Sequence, residues 1–210
     1  MGHYDRKDFT YREARKAGLR SRAGIKLEDL DSRFRLLFAG GRVVDLGCWP
    51  GAWLQVASKK VGAHGVVVGV DLVAVEPLGL DNVTTVIGDI CDADVQRRVL
   101  EAAGSEVDVV LSDLAPKLTG IRATDAAREE ALVEVAVEFA QSALRDGGRL
   151  LVKLFSGIEQ RMTQELRERF GSVTAWRPPS TRKGSSEIYV VAGAARARGA
   201  ASAVVREESR

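Results

Sequence analysis

The segment formed by residues 43–53 (VVDLGCWPGAW) constrains the fold more than any other part of the chain. An apolar run of β-type residues carries Asp45 near its end, and a turn with Gly47 and Gly51 then leads into a helical pattern. This order is typical of the first unit of a parallel α/β sheet, which binds ligands at the carboxyl ends of its strands. Because glycine lacks a Cβ, both positions would let the backbone approach a ligand closely. An ordinary tight turn between a strand and a helix is the alternative.

Strand and helix patterns alternate along the remainder of the chain. The predicted strands cover residues 42–46, 65–71, 83–87, 107–114, 149–155, 173–176 and 187–192, and the predicted helices cover 21–37, 52–61, 92–103, 124–144 and 158–170. This alternation predicts a doubly wound, Rossmann-like α/β fold with a seven-stranded, mostly parallel sheet. The last two strands follow one another across a proline-containing turn, which predicts a hairpin with an antiparallel edge strand.

Composition indicates one globular domain without a membrane span. The chain has 210 residues, of which 45% are hydrophobic and 29% charged, and no apolar run approaches the roughly 20 residues that cross a bilayer. The first residues are too polar for a secretory signal. Cys48 and Cys91 lack C-x-x-C partners, and His3 and His64 form no ligand cluster. We therefore expect a cytoplasmic protein without a metal site, and nothing in the sequence demands more than a monomer.

Basic side chains are concentrated at the start of the chain. Residues 1–26 carry eight basic and three acidic side chains, interleaved with Tyr4, Phe9 and Tyr11. Such a segment suits a nucleic-acid backbone, with rings available to stack on bases, although a solvated charged helix is the bland alternative. We accordingly divide the chain into a basic arm (1–20), a folded α/β domain (21–193) and a disordered tail (194–210).

Carboxylates follow the predicted strands at one edge of the sheet. Asp71 after the second strand suits a ribose diol, and Asp89 after the third could hold an adenine amino group. Asp45 would brace the first turn or contact the amino-acid end of S-adenosylmethionine. The turn is not G-x-G-x-x-G, and Pro50 offers no N–H to a phosphate, so this cofactor fits better than a dinucleotide. Each aspartate could also be a helix cap, and a nicotinamide cofactor is the competing interpretation.

A lysine lies inside an apolar strand. Lys153 occupies the sequence LLVKLF, where a lone ammonium is costly to bury. One interpretation is an ion pair, for instance with Asp113 on the neighbouring strand. The other is a general base, because desolvation and a nearby cation can lower the pKa of a lysine from about 10.4 toward neutrality.

Short motifs in a fixed order resemble those of the FtsJ/RrmJ family, the heat-shock large-subunit ribosomal RNA 2′-O-methyltransferases. They are SRAGIKL at 21–27, VVDLG at 43–47, PGAW at 50–53, SDLAP at 112–116, VKLF at 152–155 and SEIYV at 186–190. The resemblance implies a methyltransferase fold with S-adenosylmethionine as the cofactor. It also implies a catalytic set formed by Lys26, Asp113, Lys153 and Glu187, and cofactor contacts from Gly51, Trp53, Asp71, Asp89 and Asp113. To these contacts the strand pattern adds Asp45 and Gly47.

The family resemblance predicts RNA as the partner, namely the large ribosomal subunit or its rRNA, with a uridine ribose as the target and Lys153 as the general base. Neither DNA nor a membrane is expected as a partner. Methylation of another RNA such as tRNA, a non-catalytic RNA-binding assembly factor and a small-molecule O-methyltransferase are the alternatives. Cys48 and Trp49 depart from the small residues usual in the family, Ala52 replaces a glycine, and Ile25 stands where an aromatic residue is common.

Overall fold

The computed structural model of the protein describes residues 12, 14–104, 106–155, 157–182 and 184–195. Its helices are α1 (Ala23–Phe34), α2 (Ala52–Val61), α3 (Ala93–Ala103), α4 (Arg122–Ala143) and α5 (Glu159–Arg169). Its strands are β1 (Arg42–Leu46), β2 (Val66–Asp71), β3 (Val83–Ile87), β4 (Val107–Ser112), β5 (Leu144–Phe155), β6 (Phe170–Trp176) and β7 (Glu187–Ala195). Most of the predicted basic arm (1–11 and 13) and the predicted tail from 196 onward lie outside the described residues.

The seven strands form one sheet in the order β3-β2-β1-β4-β5-β7-β6. The first five strands of this order are parallel, and β7 runs antiparallel to both of its neighbours, β5 and β6. The predicted hairpin is therefore present, but its reversed strand lies second from the edge instead of at the edge. Because β7 is reversed, it begins at the same side of the sheet where β1 to β5 end.

Helices cover both faces of the sheet, and the central strands β1 and β4 are accordingly buried on both sides. Neighbouring residues of β1 and β2 point to opposite faces and enter two separate hydrophobic clusters. One cluster includes buried residues of α3, α4 and α5, and the other includes buried residues of α1 and α2. No helix within the described ranges is long and apolar enough to span a bilayer.

Several element boundaries differ from the sequence-based ones for local reasons. Helix α1 stops at Phe34 because Arg35 adopts a left-handed conformation (φ 51°), with its N–H bonded to the carbonyl oxygen of Asp31. Strand β5 begins at Leu144, directly after α4, since Leu144 pairs with Val107 before the register shifts. Strand β4 ends at Ser112, after which the N–H of Asp113 donates to Leu46 O at 3.2 Å.

Candidate active site

An ion pair joins the ends of β4 and β5. Lys153 Nζ lies 2.8 Å from Asp113 Oδ1 and also donates a hydrogen bond to the backbone oxygen of Asp113 at 2.9 Å. Lys153 is only 7% exposed, so these two oxygens compensate the burial of its ammonium group. The last β4–β5 pair is Ser112 with Val152, and the lysine therefore projects just beyond the end of β4.

A second ion pair lies beside the first and is connected to it by a tyrosine. Lys26 Nζ of α1 lies 2.6 Å from Glu187 Oε1 at the start of β7. The hydroxyl of Tyr189 accepts a hydrogen bond from Lys26 Nζ at 3.5 Å and donates one to Asp113 Oδ1 at 3.3 Å. The four side chains of the predicted catalytic set are thus brought into one network.

Tyr189 has no accessible surface, and its phenol is held in the neutral form. Burial is the main cause that raises the pKa of Tyr189 well above its ordinary value, and the nearby carboxylates of Asp113 and Glu187 add to it. A neutral phenol can donate to the carboxylate while it accepts from the ammonium group. The tyrosine therefore couples the two ion pairs without adding a charge.

A cavity of about 570 Å³ opens next to this network, within the usual size range of small-molecule sites. Four residues proposed for cofactor binding line it, namely Gly47, Asp71, Asp89 and Asp113. Leu114, Leu132 and Val135 contribute to its apolar wall. The part of the chain that the structure describes contains no group of three or more His, Cys, Asp or Glu side chains placed to hold a metal ion.

The carboxylates of Asp71 and Asp89 are oriented by backbone N–H groups. Asp71 accepts hydrogen bonds from the N–H groups of Trp49 and Val73, both at 2.9 Å, and Asp89 accepts one from Cys91 at 2.9 Å. Each of these carboxylates also borders the cavity and can accept further hydrogen bonds there. They are suited to a ligand that presents hydroxyl or amino groups.

Asp45 lies fully buried beneath the glycine turn. Neither of its carboxylate oxygens has a hydrogen-bond partner among the described residues. Burial, followed by the charges of Asp113 and Asp71, raises the pKa of Asp45 well above its usual range. Asp45 and Trp53 line a small cavity of about 20 Å³ beside Gly47 and Asp113. A buried, unpartnered carboxyl group of this kind fits the cationic end of an amino-acid ligand.

The turn itself accommodates the unusual pair Cys48 and Trp49. Cys48 is buried, and its side chain packs against Gly69 of β2. A Cβ on Gly69 would lie only 2.7 Å from Cys48 Sγ. Trp49 points the other way, is 57% exposed and lines the cavity. Gly51 begins α2 with a φ of 105°, a conformation that side chains rarely adopt. It borders neither cavity, so its contribution is to the shape of the turn.

Arg20 fastens the turn from outside. Its guanidinium group donates hydrogen bonds to the carbonyl oxygens of Pro50 (3.1 Å), Glu76 (2.6 Å) and Pro77 (2.7 Å). The backbone N–H of Arg20 donates to Gln55 Oε1 at 2.8 Å. The segment that precedes α1 is therefore tied to the glycine turn and to the loop that follows β2.

Two residues of the candidate site, Tyr189 and Glu129, were not predicted from the sequence. Tyr189 lies two positions after Glu187, so strand alternation places both side chains on one face. Glu129 lies in the buried stripe of α4 and accepts a hydrogen bond from the N–H of Phe155 at 2.5 Å. A carboxylate inside an apolar helical stripe was the available signal for Glu129.

Comparison with known proteins gives consistent matches. The family model described as FtsJ-like methyltransferase matches residues 19–195. A Methanothrix thermoacetophila protein named ribosomal RNA large subunit methyltransferase E is 44% identical over 188 residues, which are 89% of this chain and 72% of that protein.

Solved structures agree with this match. A Plasmodium falciparum protein described as a ribosomal RNA methyltransferase superposes with a TM-score of 0.73 at 27% identity, covering 84% of this chain and 98% of the other. Aeropyrum pernix fibrillarin, solved with S-adenosyl-L-methionine, has a TM-score of 0.53 at 19% identity, covering 75% of this chain and 68% of the other. The resemblance and the Rossmann-like methyltransferase fold expected from the sequence are thereby confirmed.

Proposed function

The chain belongs to the FtsJ-like methyltransferase family, and on this basis we propose that it methylates a ribose 2′-hydroxyl of large-subunit ribosomal RNA. The proposal is carried by two ion pairs beside the cavity, Lys153–Asp113 and Lys26–Glu187, which Tyr189 connects through hydrogen bonds. A uridine is the expected target nucleotide.

S-adenosylmethionine, the cofactor, supplies a methyl group that its sulfonium has already activated. The residues that would hold it are grouped around the two cavities and the turn between them: Asp45, Gly47, Gly51, Trp53, Asp71, Asp89 and Asp113. The unpartnered carboxyl group of Asp45 and the oriented carboxylates of Asp71 and Asp89 support this placement.

Lys153 would act as the general base. A 2′-hydroxyl is a poor nucleophile until its proton is removed. The neutral amine of Lys153 would take that proton as the ribose oxygen bonds to the methyl carbon and the methyl–sulfur bond breaks. Asp113 holds the amine through two contacts and would thereby orient it toward the reacting oxygen. General-base catalysis requires the neutral amine, so the rate of methyl transfer should rise with pH.

Lys26 would stabilise negative charge on the substrate. Its ammonium group is fixed by Glu187 and Tyr189, so little reorganisation is needed when charge develops on the ribose oxygen. Tyr189 would keep Lys26 in a defined position relative to Asp113.

Basic side chains near the network support an RNA substrate. Arg22 and Arg182 lie close together. Burial is the main cause that lowers the pKa of Arg22, and the positive charge of Arg182 is the second. Two guanidinium groups that repel each other are stabilised when an RNA phosphate lies between them. Lys183 and most of the basic arm lie outside the described residues.

The test is methyl transfer from radiolabelled S-adenosylmethionine to large ribosomal subunits from a strain without the corresponding enzyme, followed by nucleotide mapping. Label should appear as one alkali-resistant 2′-O-methylated uridine. Lys153→Met should lower the rate by about 100-fold or more, whereas Lys59→Met, an exposed position on α2, should not.

Free rRNA and tRNA serve as alternative substrates in the same assay. Label on tRNA alone would replace the proposed substrate. Binding of RNA without any methyl transfer would favour a non-catalytic assembly factor over an enzyme. Full activity of Lys153→Met would show that Lys153 is not the general base.

A further inference from the structure

A buried carboxylate that does not belong to the predicted catalytic set lies against the end of β5. Glu129 of α4 is 8% exposed, and its Oε1 accepts a hydrogen bond from the N–H of Phe155 at 2.5 Å. Phe155 is the last residue of β5, two positions after Lys153, and it pairs with Glu187 in β7. The contact therefore fixes the strand end that carries Lys153 and lies opposite Glu187.

The position of Glu129 follows from the unequal lengths of two strands. The β4–β5 ladder ends at Ser112 and Val152, so the last three residues of β5 extend beyond their neighbour. Beyond the end of β4, Lys153 bonds to Asp113, and Glu129 of α4 bonds to the last residue of β5. A half-buried N–H group without an acceptor is unfavourable, and Glu129 supplies the acceptor for Phe155.

A neutral side chain could accept the same hydrogen bond, so the charge of Glu129 needs its own explanation. Burial raises the pKa of the Glu129 carboxyl, while the Phe155 N–H and the positive charge of Lys153 oppose that change. Lys153 is thus near enough to interact electrostatically with Glu129, although it bonds directly to Asp113. An isolated carboxylate in an apolar helical stripe would be far less favourable.

We propose that Glu129 is a positioning residue for the methyl-transfer site: its carboxylate anchors the end of β5 and places a second negative charge beside the Lys153 amine. This inference rests on the proposed role of Lys153 as the general base. Because opposite charges attract, removal of the Glu129 carboxylate is expected to move the pH–rate profile of methyl transfer to lower pH.

Several other charged or titratable groups face the same amine. Asp113 at the end of β4 contacts it directly, and the Tyr189 phenol of β7 bonds to Asp113. The Lys26–Glu187 pair lies on the far side of that phenol. On α4, Glu130 is the carboxylate next to Glu129, but it pairs with Arg161 of α5. These groups stay unchanged in a Glu129 variant, so a shift in the pH dependence can be assigned to Glu129.

The experiment compares pH–rate profiles of methyl transfer for the native protein, Glu129→Gln, Glu129→Ala and Glu130→Gln. Glutamine keeps the acceptor for Phe155 and removes only the charge. For Glu129→Gln we expect normal folding and a rising limb displaced to lower pH by about half a unit to one unit. Glu130→Gln, which removes a charge one residue away, should leave the profile in place. Glu129→Ala should lower both the denaturation midpoint and the turnover, and glutamine should restore most of each.

Lys153→Met, assayed in parallel, distinguishes a failure of the Glu129 inference from a failure of the proposed function. If Lys153→Met is inactive and the profile of Glu129→Gln coincides with that of the native protein, the role of Glu129 is overturned and the proposed function stands. If Lys153→Met retains full activity, the proposed base is wrong and the inference about Glu129 falls with it.

Discussion

Lys26 Nζ and Glu187 Oε1 lie 2.6 Å apart, and their side chains retain only 9% and 13% of their accessible surface. The pair connects α1, near the start of the domain, to the first residue of β7, near its end. Two opposite charges at this depth stabilise one another only while both are present, because either one alone would be buried without compensation.

Glu187→Gln should therefore destabilise the protein by about 3 kcal/mol, because Lys26 is left as an uncompensated buried cation. The double variant Lys26→Met/Glu187→Gln should lose clearly less stability than the single variant. Urea denaturation measures both. The exposed pair Arg97–Glu101 provides the control, and Glu101→Gln should leave the midpoint almost unchanged. Equal losses in the single and double variants would contradict this account of the pair.

The buried carboxyl group of Asp45 should make the cofactor-free protein less stable as pH rises. Its pKa in the folded state is raised well above 3.8, mainly by burial. The stabilising contribution of the protonated carboxyl is complete below the unfolded-state pKa and is lost as pH passes through the folded-state pKa. Asp45→Asn cannot ionise, so its melting temperature should exceed that of the native protein at pH 8 and approach it near pH 4. Parallel melting curves across this range would contradict the prediction.

Gly69→Ala should be destabilising by about 1–3 kcal/mol because β2 has no room for a methyl group. A Cβ at this position would lie 2.7 Å from Cys48 Sγ and 2.8 Å from Leu54 Cδ2. Cys48→Ala removes the sulfur, and it should recover part of the stability lost in Gly69→Ala. A double-mutant cycle measured by denaturation tests this, and strict additivity of the two single changes would rule out the contact.

Arg20→Met should weaken the binding of S-adenosylmethionine by about tenfold, which corresponds to about 1.4 kcal/mol. The variant loses the three hydrogen bonds that fasten Pro50, Glu76 and Pro77, so the glycine turn and the loop after β2 are no longer held together. Isothermal titration calorimetry provides the dissociation constants. Arg98→Met, at an exposed position on α3, is the matched control. An unchanged dissociation constant for Arg20→Met would show that the turn holds its shape without this arginine.

The sequence predicts the order and type of the elements well because hydrophobic periodicity and glycine positions are local signals. It does not predict where an element stops when a tertiary contact decides the end. Arg35 ends α1 through a left-handed conformation that its residue type does not suggest, and Leu144 leaves α4 to pair with Val107. The insertion of β7 between β5 and β6 is likewise a property of the assembled sheet.

The candidate site divides in the same way. Lys153 and Asp113 are recognisable in the sequence because a charged residue in or directly after an apolar strand is costly to bury without a partner. Their direct contact at 2.8 Å is one of the two arrangements that the sequence left open. Tyr189 and Glu129 look like ordinary core and helix residues until the partners that their polar atoms meet are known. These partners lie on other elements, at separations that no local pattern reports.

The placement of β7 also bears on when the protein becomes active during its synthesis. The strand that contributes Glu187 and Tyr189 is the last of the sheet to leave the ribosome, yet it fills the gap between β5 and β6, which are made earlier. A nascent chain that ends before this strand leaves β5 without one neighbour and β6 without the strand it pairs with, and it lacks half of the Lys26 pair. A translation product that stalls before β7 would thus lack two residues of the candidate site and expose unpaired strands, which favours aggregation.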